Sequence, residues 1–336
     1  MQLFSYPTKS IYQFLMLLLP ILLLFSTAHA QTETELETVN RNNMQRFVDE
    51  VYNNGNINII DILFAEDSLG YPGERNRDNY AASVIGLRAA MPDLYATPTV
   101  IIVENDWAAM QILLQGTFVD EMVFPDSPPI PPTGKQIQFV VNIALQTNPQ
   151  GRVLQYWVGF DNLSFLAQID LIPRPQTLWQ GNTEYVPIIQ TGQEENNKLT
   201  TLQYYDAWFR EDYASMKQRL SNEFVGYNPF GSFERDGQVT DLRLFRTAFP
   251  DFTWEMKAMI AEGNYVVMVH NISGTFTNDF VLSEGLRITP TNQALNLSRI
   301  DFLRFDEQNM IVETWELYDV WDFLGQLQVP LFQDNP

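Results

Sequence analysis

Asp161 and Asp319 are the residues whose type and spacing best suit proton transfer. Each lies four residues after a tryptophan, Trp157 or Trp315, in a segment rich in β-branched and aromatic residues. Side chains alternate along a strand, so Trp157, Gly159, Asp161 and Leu163 share one face, as do Trp315, Leu317, Asp319 and Trp321. A carboxylate on an aromatic face is partly desolvated, which raises its pKa, and removing a proton beside a carbonyl needs such a base. The competing reading is a structural aspartate that accepts backbone N–H groups near the end of a strand.

His270 is the second candidate, a general base near neutral pH or a histidine at the edge of a packed face. The only other histidine is His29. Arg299 and Asp301 alternate onto one strand face with Leu297 and Leu303, as an internal ion pair, a pocket wall or a surface pair. Tyr71, Tyr227, Asn228 and Trp254 follow as candidate pocket residues, with loop or core packing as the alternative. With no cysteine and two histidines, disulfides, thiolate nucleophiles, iron–sulfur clusters and multi-histidine metal sites are excluded. Pro132-Thr133-Gly134-Lys135 lacks the spaced glycines and following helix of a phosphate loop and reads as a turn.

The elements that hold these residues come as a repeat. Laying 73–168 on 231–326, an offset of 158, gives 24 identities in 96 positions (25%), against roughly 6% for unrelated chains of ordinary composition. The offset pairs Trp157 with Trp315, Asp161 with Asp319, Pro92-Asp93 with Pro250-Asp251, and Gly116-Thr117-Phe118 with Gly274-Thr275-Phe276. It also sets His270 against Ile112, and Arg299 and Asp301 against Val141 and Ile143. In each copy, helical spacing comes first, with a third helix predicted over Arg77 to Ala90 and over Asp236 to Ala248, before a proline. Strands are predicted next over Thr99–Glu104, Trp107–Phe118, Gln136–Gln146 and Val153–Leu163. Their counterparts are Glu255–Glu262, Tyr265–Phe276, Ala294–Phe305 and Ile311–Trp321. Helices followed by antiparallel strands make an α+β domain.

Residues 1–30 read as a secretory signal, with Lys9, an apolar run from Phe14 to Phe25 and an Ala28-His29-Ala30 cleavage site. The expected destination is the periplasm or the extracellular space, with no membrane anchor after cleavage. Residues 31–171 form the first domain, 172–195 a linker and 196–336 the second domain. The 41 acidic against 20 basic residues give a net charge of −21, which opposes binding to nucleic acid or anionic membranes.

Together the motifs resemble the SnoaL-like polyketide cyclase family of the nuclear transport factor 2-like superfamily. They are Val51-Tyr52-Asn53-Asn54-Gly55-Asn56, Met91-Pro92-Asp93, Gly116-Thr117-Phe118, Pro131-Pro132-Thr133-Gly134-Lys135, and Trp157, Asp161, Leu166 and Gln168 with their second-copy partners. The second copy keeps only Pro290-Thr291 of the proline turn. The resemblance implies two tandem cone-shaped α+β barrels, each a curved antiparallel sheet covered by helices, with no cofactor. It also implies that an aspartate of the last strand, here Asp161 or Asp319, acts as general acid/base in an intramolecular aldol closure. The expected ligand is a small, largely apolar organic molecule. The function is then a cofactor-free cyclase, isomerase or hydratase, or a non-catalytic hydrophobic-ligand-binding or scaffold protein. Because family members commonly pair through a sheet face, a tandem chain is expected to be a monomeric pseudo-dimer.

Overall fold

The computed structural model describes residues 33–73, 75–123, 129–172, 184–185, 187–281 and 287–329. The leader read in residues 1–30 lies outside this range, as does much of the 172–195 linker.

The first half opens with α1 (Glu35–Arg46). Thr34 Oγ1 accepts from Glu37 N at 3.2 Å while the Glu37 carboxylate accepts from Thr34 N at 2.7 Å, a reciprocal cap that satisfies two orphan donors. The helix runs on through a π-helical stretch, Phe47–Asn53. Register explains this stretch. Asn40 and Asn197, 157 apart, bond Asn105 O and Gly263 O at corresponding turns. Gly55 and Glu211, which close the two helical segments with φ 68° and 60°, are 156 apart. The first half thus has one extra residue in this helix, and a π turn accommodates such an insertion without breaking it.

After it come α2 (Asn58–Leu63), β1 (Phe64–Tyr71), α3 (Arg77–Ala90), β2 (Tyr95–Glu104), β3 (Trp107–Thr117), β4 (Gln136–Thr147), β5 (Val153–Phe160) and α4 (Asn162–Gln168). The second half repeats the order with α5 (Glu194–Phe209), α6 (Tyr213–Lys217), β6 (Leu220–Asn228), β7 (Gly231–Glu234), α7 (Arg235–Ala248), β8 (Thr253–Glu262) and β9 (Tyr265–Thr275). It continues with β10 (Phe280–Val281), β11 (Arg287–Ile288), β12 (Ala294–Phe305), β13 (Ile311–Leu317) and α8 (Val320–Gln326).

The two main sheets run β1-β5-β4-β3-β2 and β7-β6-β13-β12-β9-β8. Two features differ from the sequence expectation. The sheets are mixed, because β1 pairs β5 in parallel and β6 pairs β13 in parallel, and they are open rather than closed barrels. The parallel strands escape a reading by composition: Phe64–Tyr71 contains no β-branched residue, so only tertiary pairing marks it as a strand.

Alternation assigns the faces. On β4, Val141, Ile143 and Leu145 point into the helix-covered core of the first half. Val140 and Ala144 point outward and pack, with Val100, Ile102, Leu113 and Trp157, against Ile260, Val267, Val269, Ile300, Phe302, Trp315 and Leu317 of the second sheet. The two sheets therefore bury their outer faces against each other within one chain. Each fully buried aliphatic or aromatic side chain contributes roughly 1.5–3 kcal/mol. Gly159 lets the backbones approach, since a Cβ there would lie 2.5 Å from Leu317 O.

Polar contacts at this junction are reciprocal. Arg41 Nη2 bonds Glu262 Oε1 at 2.6 Å, and Glu262 Oε2 accepts from Val103 N at 3.0 Å. Lys198 bonds Glu104, and Glu104 Oε2 accepts from Ala261 N at 2.9 Å. The two sets exchange between the halves, Glu104 with Glu262 and Val103 with Ala261 at the offset of 158 and Arg41 with Lys198 at the 157 of the first helix, as in an isologous dimer interface.

Candidate functional site

The core of the second half contains a buried polar cluster where the first half is aliphatic. His270 lies on β9, Arg299 and Asp301 on β12, and Glu316 on β13. His270 stands opposite Arg299, and Asp301 opposite Glu316, in the strand register. The corresponding first-half positions are Ile112 opposite Val141 and Ile143 opposite Val158. Two carboxylates facing each other across strands repel, and a cation is needed between them. Arg299 supplies it, with Nη2 at 2.8 Å from Glu316 Oε2 and 3.2 Å from both Asp301 oxygens.

Helices and the edge strand complete the cluster. From α5, Tyr205 OH donates to Asp301 Oδ2 at 2.5 Å. His270 Nε2 lies 2.7 Å from the same oxygen. From β8, Trp254 Nε1 donates to His270 Nδ1 at 2.8 Å, and its ring stacks on Tyr205 at 5.9 Å and 10°. From α7, Gln238 Nε2 donates to Glu316 Oε1 at 2.7 Å. Gly226 makes room for Gln238, because a Cβ there would lie 2.3 Å from Gln238 Oε1. Thr314 Oγ1, on the same face of β13 as Glu316, is buried and has no hydrogen-bond partner among the described residues.

His270 and Asp301 are 0% exposed and Arg299 is 5% exposed, so their charges interact in a medium far less screening than water. Burial alone would raise the Asp301 carboxyl, but Arg299 and His270, with hydrogen bonds from His270 and Tyr205, pull it below the usual aspartate range. Burial pushes Glu316 up to about 7 against the pull of Arg299, and the Asp301 charge adds to the rise. Burial lowers His270, and Asp301 opposes that shift. Half-buried Asp241, bonded by Asn228 Nδ2 at 3.0 Å, is pushed up to about 6 by burial. Asp301 and Glu316 are thus driven in opposite directions, an arrangement that suits one carboxyl to stay charged and the other to exchange a proton.

The structure brings together His270, Arg299, Asp301 and Trp254 of the sequence candidates, with Asn228 nearby on Asp241. The other candidates lie elsewhere. Strands β5 and β13 end at Phe160 and Leu317, short of the predicted Leu163 and Trp321, because Asp161 and Asp319 cap the following helices. Asp161 Oδ1 accepts from Ser164 N at 3.1 Å, and Asp319 Oδ1 from Trp321 N at 3.0 Å and Asp322 N at 3.3 Å. An aspartate in the N-cap position satisfies such orphan amides. Asp319 is further held between the halves by Asn162 Nδ2 at 3.4 Å and by Arg75 at 3.8 Å. Burial raises its carboxyl and Arg75 opposes this.

Trp157 and Trp315 face the junction of the halves, stacked on Tyr71 at 5.2 Å and on Tyr227 at 3.9 Å. A groove of about 950 Å³ runs along this junction, walled by Gln111, Tyr227, Tyr265, Phe302, Arg304 and Trp315. Inside the first half, a void of about 10 Å³ beside Phe47, Phe64 and Thr147 has room for about one water. Among the described residues, no group of three or more His, Cys, Asp or Glu is arranged to hold a metal ion, and no helix is long and apolar enough to cross a membrane.

The sequence reading missed Glu316, Tyr205, Gln238 and Asp241. A signal for Glu316 exists, since it stands against Val158 in the repeat just as Arg299 and Asp301 stand against Val141 and Ile143. The aromatic spacing of Trp315 and Asp319 masks it, because that spacing points to the opposite face of the strand.

The model of the family described as SnoaL-like polyketide cyclase matches residues 42–169 and again 198–327. Among solved structures, AclR from Streptomyces galilaeus, described as a hydroxylase, is 25% identical, with 41% of this chain and 99% of that chain covered and a TM-score of 0.36. TsrD from Streptomyces laurentii is 20% identical over 42% of this chain and 100% of its own, with a TM-score of 0.37. A SnoaL-like polyketide cyclase from Jannaschia sp. CCS1 is 18% identical over 43% and 99%, with a TM-score of 0.37. No curated protein matches the chain. Two family segments in tandem, each spanning one half of the fold, show that the chain belongs to the SnoaL-like polyketide cyclase family.

Proposed function

We propose that this protein is an exported, cofactor-free acid/base catalyst whose chemistry is carried by the second half, with the first half as its structural partner. The observation behind the reading is Arg299 set between Asp301 and Glu316, in a core whose first-half counterpart is wholly aliphatic at those positions. Glu316, near neutrality, takes and returns a proton. Arg299 steadies negative charge that develops on the substrate, and Asp301 holds Arg299, His270 and Tyr205 in place. A carboxyl that titrates near the working pH is an efficient proton carrier, worth roughly 10²–10⁴ in rate. The reaction class is cyclisation, isomerisation or hydration of a small, largely apolar carbonyl compound. Export rests on the leader in residues 1–30. Asp161 and Asp319 serve in this reading as the caps that turn the chain from strand to helix.

A second reading, a binding or scaffold protein with a structural ion network, is favoured by the complete burial of His270 and Asp301. One experiment separates the two. The protein is incubated in D₂O with a defined panel of cyclic ketones, enones and 1,3-diketones, and deuterium incorporation is read by mass spectrometry. Catalysis above background that falls at least about 100-fold in Glu316→Gln, and persists in Asp161→Asn/Asp319→Asn, supports the enzyme. Undiminished exchange in Glu316→Gln, or none beyond background in the parent, removes it.

A further inference from the structure

His270 has both ring nitrogens engaged, and its partners are chemically unequal. Nδ1 receives Trp254 Nε1 at 2.8 Å, while Nε2 faces Asp301 Oδ2 at 2.7 Å. An indole N–H is a donor and never an acceptor. Nδ1 must therefore present its lone pair, and the single proton of the neutral ring sits on Nε2, where the Asp301 carboxylate accepts it.

We infer that Trp254 is a positioning residue that locks His270 as the neutral Nε2–H tautomer, making the imidazole a fixed donor to Asp301 rather than a base. Its geometry suits the task. The indole comes from the edge strand β8 and stacks flat on Tyr205, which itself bonds Asp301. One aromatic pair thus grips both ends of the histidine–aspartate unit. The groups facing His270 are Trp254 from β8, Tyr205 from α5, and Asp301 and Arg299 from β12. Protonation at Nδ1 would set an N–H against the indole N–H, so the lock opposes imidazolium despite the adjacent carboxylate. The first half has Ala96 at the repeat position of Trp254 and Ile112 at that of His270, so the device belongs to the second half alone.

Only the link to turnover rests on the proposed catalysis; the tautomer assignment is independent of it. The test is ¹⁵N NMR of the full chain labelled at imidazole nitrogen, with the His270 signals identified by their loss in His270→Gln. At pH 7 the parent is expected to show a bare Nδ1 and a protonated Nε2, with protonation setting in only below the ordinary histidine range. In Trp254→Phe, which removes the indole N–H together with its five-membered ring, the His270 protonation midpoint is expected to rise by about one unit or more. Benzothienylalanine at position 254 keeps the indole shape without the N–H and is expected to reproduce the rise, which guards against misfolding of the phenylalanine variant. In the deuterium-exchange assay, the acid limb of the pH profile should move upward in both variants. A protonated Nδ1 in the parent, or an unchanged titration in both variants, overturns the lock. Absence of exchange activity in every chain would instead count against the proposed catalysis, while the nitrogen shifts would still decide the tautomer.

Discussion

Asp301 and Glu316 are register partners on β12 and β13, two buried carboxylates on the same face of the sheet joined by one guanidinium. This pairing generates the pH and mutational behaviour expected of the second half.

Stability should fall as pH rises toward neutrality. The Glu316 carboxyl moves from 4.5 to about 7 on folding, so between those values the folded state keeps a proton that the unfolded chain has released. Stability then declines through this window. Asp241, moved from 3.8 to about 6, adds to the lower part of it. The lowered Asp301 acts in the opposite sense, but only as pH drops through and below its ordinary range. Calorimetry from pH 5 to 8 should show a Tm decline several degrees larger in the parent than in Glu316→Gln. Parallel curves for the two would contradict the neutral Glu316.

Removing the cation should be far worse than removing the whole network. Arg299→Met leaves Asp301 and Glu316 buried with hydrogen-bond donors but no cation and is expected to cost about 3–5 kcal/mol. Installing the first-half residues together, as His270→Ile/Arg299→Val/Asp301→Ile/Glu316→Val, removes the buried charges at the centre and leaves only neutral donors of Tyr205, Trp254 and Gln238 without those acceptors, so by denaturant titration it should cost less than Arg299→Met. A quadruple variant less stable than Arg299→Met would show that the polar cluster holds the fold together.

The junction of the halves is testable at one atom. Gly159→Ala would drive a methyl group into the Leu317 carbonyl group, where backbone cannot yield cheaply, at a cost of about 1–3 kcal/mol. Gly86, in α3 with open space where a Cβ would stand, is the control. Gly86→Ala should stabilise by about 0.5–1 kcal/mol. Equal effects of the two substitutions in thermal unfolding would rule out close packing at Gly159.

Much of this architecture is legible from spacing. The 158-residue offset and the proline stops of α3 and α7 follow from local chemistry and appear in the structure. What escapes the sequence depends on distant partners. Strands β1 and β6 acquire their identity from parallel pairing with β5 and β13. The two faces of β13 cannot be told apart by pattern, because both are buried: Trp315 and Leu317 against the first half, Thr314 and Glu316 within the second. Capping by Asp161 and Asp319 is one of the two alternatives their positions allow, but a one-dimensional pattern does not show where a strand yields to a helix.

The exchange-related pairs Arg41–Glu262 and Lys198–Glu104 have a consequence for how such a molecule can change over time. When an interface of this kind joins two identical subunits, any substitution appears twice, and a costly buried charge must be tolerated in both. Within one polypeptide the same substitution appears once. The second half could therefore accumulate ionisable groups in its interior while its twin kept an oily one and went on supplying the rigid wall against which both are built.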